Sequence, residues 1–181
     1  MLSLNKMQRY ASFDIGEKNF AYFISVSDGK IIKAEKMLNI DFYEKKQTIT
    51  EACIKISQHL KDEEIFQYCD TVLIEQQVKK NVRAQRISQH VWTWFYTKFP
   101  NKKILFIPAY LKTQHFIGKN KLSSRERKIW SVKHIEEIIH NTNQNFDNVY
   151  IEPSIQDYFF SLKKKDDVSD AILQLLAYLK I

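Results

Sequence analysis

The chain has few of the residues that break regular structure. It contains 3 glycines and 3 prolines among 181 residues. This scarcity excludes a glycine-rich linker protein and a collagen-like chain, and it leaves little room for long irregular loops. Because a chain of this length is typical of one domain, we expect residues 1–181 to form a single domain made mostly of helices and strands.

Cysteines and long apolar runs are also scarce. Cys53 and Cys69 are too few for a disulfide framework, and neither has the paired spacing of a zinc site. No apolar run is long enough to span a bilayer, and the N-terminal MLSLNKMQRY has no secretory signal pattern. We therefore expect an intracellular protein with no membrane contact and no small-molecule cofactor.

Acidic residues are nearly absent from the middle of the chain. Residues 79–133 hold 14 lysines and arginines and one acid, Glu126, which gives a net charge of +13. The remaining residues hold 14 basic and 20 acidic residues, a net charge of −6. A basic stretch between acidic ends predicts one surface that binds a polyanion such as DNA.

The apolar pattern predicts an α/β fold. Short β-rich runs predict strands at 9–15, 19–26, 30–37, 71–75 and 103–107. Helical spacing of apolar residues predicts helices at 44–61, 81–98, 124–140 and 167–180. Strands followed by alternating helices and strands imply a mixed sheet covered on both faces. The polar segment 111–124 is expected to be a mobile loop.

Four acids occupy unusual positions in this pattern. Asp14 and Glu75 each end an apolar strand, and Asp167 and Asp170 share one side of the last helix. Carboxylates brought together repel one another, and a divalent cation such as Mg²⁺ commonly offsets that repulsion. Asp166 competes with Asp167, because Asp166 and Asp170 also share a helix face. Asp166 could equally cap the helix N-terminus.

Three segments carry a resemblance to a known family. They are FDIGEKNFAY at 13–22, VLIEQQ at 72–77 and KKDDVSDAILQLL at 164–176. Together, and in this order, they resemble the RuvC-type Holliday junction resolvases of the RNase H-like superfamily. The form D-I-G-x-K-N-x-A at 14–21 is especially similar to the poxvirus-type resolvases. The resemblance implies a five-stranded mixed sheet of order 3-2-1-4-5, flanked by helices.

The resemblance also implies a set of site residues. By motif, Asp14, Glu75, Asp167 and Asp170 bind Mg²⁺, as two ions per active site, with Mn²⁺ able to substitute. A lysine near the scissile phosphate is implied as well, and Lys128 is the position we assign to it. Lys112 and Lys133 are alternatives. The residues expected to bind DNA are Lys79, Lys80, Arg83, Arg86, Lys112, Lys119, Lys121, Arg125, Arg127 and Lys133.

The implied activity is resolution of four-way DNA junctions by paired nicks. The expected form is a homodimer in which each subunit cuts one strand. Viral DNA recombination or concatemer processing is the expected setting, in the cytoplasm for a poxvirus-type enzyme. The alternatives are another RNase H-like nuclease acting on flaps, branched DNA or RNA, and a non-catalytic module that binds junctions. An actin-like or sugar-kinase-like ATPase is excluded by the chain's length and its 3 glycines.

Overall fold

A six-stranded mixed sheet forms the centre of the computed structural model, which describes residues 6–16, 19–41, 47–118, 122–142 and 146–181. The strand order is β5-β4-β1-β2-β3-β6. β2 pairs antiparallel with both β1 and β3. β4 pairs in parallel with both β1 and β5, and β6 pairs in parallel with β3. The strands are β1 Gln8–Ile15, β2 Asn19–Ser27, β3 Ile32–Asp41, β4 Thr71–Gln76, β5 Lys103–Pro108 and β6 Val149–Tyr150.

Helices cover both faces of this sheet. One apolar cluster packs α1 and α2 on one face, and a second packs α4, α5 and α6 on the other. The helices are α1 Ile49–Asp62, α2 Val82–Lys98, α3 Tyr110–Ile117, α4 Ser124–Ile139, α5 Pro153–Ser161 and α6 Asp166–Leu179, with a 3-10 turn at Glu64–Tyr68. No helix in the described ranges is long and apolar enough to cross a membrane.

Side-chain alternation along β1 separates the core from the candidate site. Phe13 and Ile15 point into the cluster beneath α1 and α2. Ser12 and Asp14 point to the opposite face, where α6 lies. Gln174 of α6 donates hydrogen bonds to Ser12 Oγ at 3.0 Å and to the Phe13 carbonyl at 3.3 Å. These bonds fix the position of α6 relative to β1.

The order 3-2-1-4-5 that the resemblance implied is confirmed, but the sheet has a sixth strand that was not expected. β6 is only two residues long, and it pairs with Ile32 and Lys33 at the outer edge of β3. A segment so short has no alternation for the sequence to reveal. The helix α5, which follows β6, was not predicted either.

Segment 111–124 was predicted as a mobile loop, and that prediction was wrong for its described part. Residues Tyr110–Ile117 form α3. Leu111 and Phe116 pack partly buried against the α6 side of the core. The prediction failed because the apolar residues of this helix lie at its two ends, around the polar residues 112–115, and do not recur at helical spacing. Packing against α6 therefore stabilises the helix more than its own pattern does.

Candidate active site

Two carboxylates meet at the carboxyl ends of neighbouring parallel strands. Phe13 of β1 lies opposite Ile74 of β4. The next residues, Asp14 and Glu75, are therefore neighbours near the ends of the two strands. Asp14 is 9% exposed, and a hydrogen bond joins its side chain to Glu75. α6 crosses this edge of the sheet and brings Asp170 to the same place. The structure thus brings together three of the four predicted acids.

Lys112 of α3 lies between two of these acids. Its Nζ is 2.9 Å from Glu75 Oε1 and 2.8 Å from Asp170 Oδ2. The lysine side chain is 12% exposed, and those of Glu75 and Asp170 are 14% and 28% exposed. The ammonium therefore neutralises part of the negative charge that the acids would otherwise impose on one another.

The charges at this site shift several pKa values. Burial raises the pKa of Asp14 well above its ordinary value, and the charge of Glu75 raises it further. Burial also raises the pKa of Asp170, although Lys112 opposes that effect. For Glu75, the Lys112 ammonium more than offsets burial, and the pKa lies below its ordinary value. Among the described residues, Asp14 is thus the acid of these three that forms no ion pair.

Asp167 and Asp166 have different partners at the start of α6. Asp167 accepts a hydrogen bond from Asn19 Nδ2 at 2.7 Å and contacts Lys164. Its charge also contributes to the raised pKa of Asp14. Asp166 instead pairs with Lys128 at 2.8 Å and with Lys164 at 3.2 Å. Asp167 therefore faces the Asp14 side of the site, and Asp166 faces α4.

Asp166 is not the helix cap that the sequence allowed. It is the first residue of α6, and Lys165 holds the cap position without a side-chain capping bond. The carboxylate of Asp166 is already taken by two lysines, Lys128 and Lys164. Ion pairing has replaced the backbone contact that a capping aspartate would make.

The three candidate lysines differ in their distance from the acids. Lys112 contacts Glu75 and Asp170 directly, whereas Lys128 lies on the exposed surface with its side chain 57% accessible. Lys128 nonetheless lines the same cleft of about 150 Å³ as Lys112 and the two acids. Lys133 pairs with Glu137 and is 76% exposed. Sequence reasoning preferred Lys128, while the structure places Lys112 in direct contact with the carboxylates.

The basic residues predicted to bind DNA are mostly on the surface. Lys79, Lys80, Arg86, Arg125 and Arg127 are exposed. Arg83 is half-buried, and its Nη1 donates a 3.0 Å hydrogen bond to the Gln47 carbonyl. The guanidinium of Arg83 thus already has a partner within the protein. Lys119 and Lys121 lie outside the described residues.

Sequence reasoning did not select two side chains that support the site. Asn19 donates a hydrogen bond to Asp167, and Gln174 of α6 donates one to Ser12 of β1. Asn19 belongs to the motif at 14–21, so that the motif itself carried a signal for it. Gln174 is fully enclosed among apolar residues, and a buried amide in an otherwise apolar helix is the signal that could have found it.

The oxygen-rich donor set suits a hard divalent cation. Carboxylates are the ligands that Mg²⁺ prefers. Burial and the negative charge of Glu75 raise the pKa of Asp14, and a cation at this site would oppose both effects. In the described ranges, no three side chains of His, Cys, Asp or Glu are arranged to hold a metal ion. In this arrangement the Lys112 ammonium contacts both Glu75 and Asp170.

The chain is similar to several known proteins. No protein-family model matches it. It is 23% identical over 216 residues to an uncharacterized protein, 97L, of Invertebrate iridescent virus 3, an alignment that covers 94% of this chain and 99% of the relative. That similarity extends over almost the whole length of both proteins.

Solved structures of Holliday junction resolvases share the fold. The fowlpox virus resolvase, solved with its substrate Holliday junction DNA, matches with a TM-score of 0.66 and 20% identity over 96% of this chain and 97% of that one. The yeast mitochondrial resolvase Ydc2 has a TM-score of 0.66 and 14% identity over 99% and 82% of the two chains. Thermus thermophilus RuvC has a TM-score of 0.60 and 11% identity over 94% and 95%. The chain therefore has the fold that these Holliday junction resolvases share.

Proposed function

We propose that the chain is a Mg²⁺-dependent endodeoxyribonuclease that resolves four-way DNA junctions. The observation that carries this proposal is the carboxylate cluster of Asp14, Glu75 and Asp170 around Lys112. It lies at the carboxyl ends of β1 and β4, in a fold shared with resolvases solved in complex with junction DNA. Such a cluster costs stability, and phosphodiester hydrolysis is a reaction that makes use of it.

Asp14, Glu75 and Asp170 would hold the metal together with Asp167, as two Mg²⁺ ions for which Mn²⁺ can substitute. Bound there, the metal supplies positive charge for the phosphodiester oxygens and makes a water molecule more acidic. With the metal held there, Lys112 would give up its contacts with Glu75 and Asp170. Lys112 and Lys128, which line one cleft, then hold the phosphate of the strand to be cut.

The basic surface supplies affinity for the DNA arms. Phosphate contacts from lysine and arginine give strong binding that carries no sequence information. Two copies of the chain would place two sites on one junction. A partly exposed aromatic pair on α2 supports a dimer. The rings of Trp92 and Tyr96 stack with their centroids 5.0 Å apart, and Tyr96 is 54% exposed. A second copy packed on α2 would cover this aromatic surface.

We infer a viral setting, which two of the similar proteins support. Both the iridescent virus protein and the fowlpox resolvase are viral. We infer that the chain processes branched or concatemeric intermediates of viral DNA replication and recombination. It would act inside the infected cell, where that DNA is copied, which for a poxvirus-type enzyme is the cytoplasm.

The test is cleavage of a labelled four-way junction beside a linear duplex, a flap and an RNA–DNA hybrid, each with and without Mg²⁺. We expect paired nicks in the junction only, and only with the metal. Asp14→Asn, Glu75→Gln and Asp170→Asn should abolish cutting and leave junction binding largely intact, because the basic surface provides the affinity. Near wild-type cutting by two of these variants would contradict the proposed site.

Other outcomes identify the alternatives. Preferential cutting of the flap or the hybrid would make the chain a different nuclease of the same fold. Tight junction binding with no cutting at any concentration of Mg²⁺ or Mn²⁺ would make it a junction-binding module.

A further inference from the structure

A second cavity, of about 400 Å³, opens beside the candidate active site. It lies between the carboxyl ends of β4 and β5 and the first half of α2. The residues that carry its chemistry are four glutamines, one arginine and one aromatic residue: Gln76, Gln77, Gln85, Gln89, Arg86 and Phe106. We call this cavity the glutamine pocket.

The amides of the glutamine pocket are available to a ligand. The side chains of Gln76, Gln85 and Gln89 make no hydrogen bond to any described residue. Arg86 is exposed and forms no ion pair within the described ranges. Each free amide offers a donor and an acceptor side by side, which matches the edge of a nucleobase.

Phe106 gives the pocket a flat apolar wall. Ile104 and Phe106 lie on the α2 face of β5, and Ile104 is packed into the core on that face. Phe106, two residues nearer the carboxyl end, is 38% exposed and makes no ring contact with another described aromatic side chain. An exposed ring at a sheet edge can stack on a base of any identity.

The pocket touches the active site through Gln77. Its Nε2 donates a hydrogen bond to Glu75 Oε2 at 3.3 Å. In the β4–β5 register, Glu75 lies opposite Ile107, the residue after Phe106. Gln77 thus connects the pocket to the carboxyl end of β4, where Glu75 lies.

We propose that the glutamine pocket holds a purine base of the cleaved strand, next to the scissile phosphate, and so selects where the strand is cut. The inference rests on the proposed nuclease function and adds a base-reading site to it. Glutamine and arginine are the side chains that pair in bidentate fashion with adenine and guanine. A phosphate is the poorer ligand, because Arg86 is the single cation among the six side chains and the amide oxygens would repel the anion.

The first experiment measures base preference. Four-way junctions carry each of the four bases in turn at the positions that flank the cut, and cutting is compared between the wild type and Gln85→Ala and Gln89→Ala. The wild type should prefer a purine by roughly 5- to 150-fold at one position. Each variant should lose most of that preference. Gln67→Ala, which changes an exposed glutamine at the opposite end of the sheet, should keep it.

The second experiment detects the base without any cutting. Junctions with 2-aminopurine at each flanking position are bound to an Asp14→Asn protein, which does not cleave them. Fluorescence should be quenched at one position by stacking, and Phe106→Ala should remove the quenching. Phe160→Ala is the matched control, since Phe160 is 39% exposed and lies on α5.

The outcomes separate the two proposals. Junction cutting with the same base distribution in the wild type and in Gln85→Ala and Gln89→Ala would overturn the pocket and leave the nuclease intact. A preference for pyrimidines would overturn it as well. Absence of all cutting, with quenching that depends on Phe106, would retain the base site and overturn the nuclease.

Discussion

Lys112 is the residue on which the candidate site depends in the absence of metal. Its ammonium is the direct partner of both Glu75 and Asp170, and all three side chains are largely enclosed. Breaking a buried ion pair by removing one partner is strongly destabilising, because the remaining charge has no compensation. Lys128 makes a comparable contact with Asp166, but at the surface.

The two lysines therefore form a matched pair of variants. Lys112→Met should lower the free energy of unfolding of the metal-free protein by about 3–5 kcal/mol. Lys128→Met should lower it by less than about 1 kcal/mol, because water screens an exposed pair. Chemical denaturation in EDTA measures both values. In addition, Mg²⁺ should raise the melting temperature of Lys112→Met more than that of the wild type, since the lysine no longer competes for the carboxylates.

Equal losses in the two variants would contradict the role given to Lys112. So would a Lys112→Met protein whose melting temperature does not respond to Mg²⁺ while the wild type's does.

Asp166 and Asp167 allow a second comparison of neighbouring residues. Asp167→Ala should remove cutting, because Asp167 is the one whose charge reaches Asp14. Asp166→Ala should retain appreciable cutting and lose a modest part of its stability through the broken contacts with Lys128 and Lys164. Junction cleavage and thermal unfolding measure the two effects. If Asp166→Ala were inactive and Asp167→Ala active, the metal ligand would be Asp166 and not Asp167.

At the scale of elements, an aromatic cluster joins α3 to α4. His134 stacks on Trp130 with ring centroids 5.0 Å apart and contacts Phe116 and Phe146. Burial lowers the pKa of His134 below its ordinary value, although Glu137 opposes the shift. Because α3 carries Lys112, the stability of this cluster also affects the position of the active-site lysine.

His134 makes the stability depend on pH in a direction that follows from its pKa. The unfolded chain takes up a proton on this imidazole near pH 6.5, and the folded protein does so only at lower pH. Below pH 6.5 the proton therefore favours unfolding, and the folded state loses stability until the pH reaches the lowered pKa. His134→Phe should lose less stability than the wild type between pH 7.5 and 5.5, as measured by denaturation at both values. An identical pH dependence in the two proteins would show that His134 is not responsible.

The sequence pattern predicted the strands and helices that contain many apolar residues. The strands β1, β2 and β4 are apolar runs, and α6 has apolar residues on every side of its central turns. In α4, Ile129 stands at helical spacing with Val132, Ile135 and Ile139, yet Ile129 is 60% exposed, whereas Ile138 is buried. The face of a helix is decided by what lies opposite it, which no single segment encodes.

The acids of the site were predictable, whereas their partners were not. Asp14 and Glu75 follow apolar strands, and such positions are visible in a sequence. Lys112 lies in a segment with a weak pattern, and its contact with Glu75 spans 37 residues. Because that contact depends on how α3 packs against α6, the sequence predicted the carboxylates and left the choice of lysine open.

At the scale of the whole molecule, the uneven charge predicts a strong response to salt. The logarithm of the binding constant for junction DNA should fall linearly with the logarithm of salt concentration, with a slope near −0.9 for each phosphate neutralised. Neutralising exposed Lys79 or Lys80 should reduce the size of that slope by about one each. Arg83→Gln should change it little, because Arg83 is bound to the Gln47 carbonyl. Binding titrations over a range of salt concentrations measure the slopes, and a flat response would mean that the basic stretch is only a solvated surface.

The outer edge of β3 has a consequence for self-association. An open strand edge is a template on which another chain can add a strand. Here β6 pairs with the first residues of β3, and farther along the Tyr158 hydroxyl accepts a hydrogen bond from the backbone N–H of Asn39. Edge-to-edge aggregation is therefore blocked along β3 at both of these places. At this edge of the sheet, contact between two copies therefore does not extend one sheet into the next.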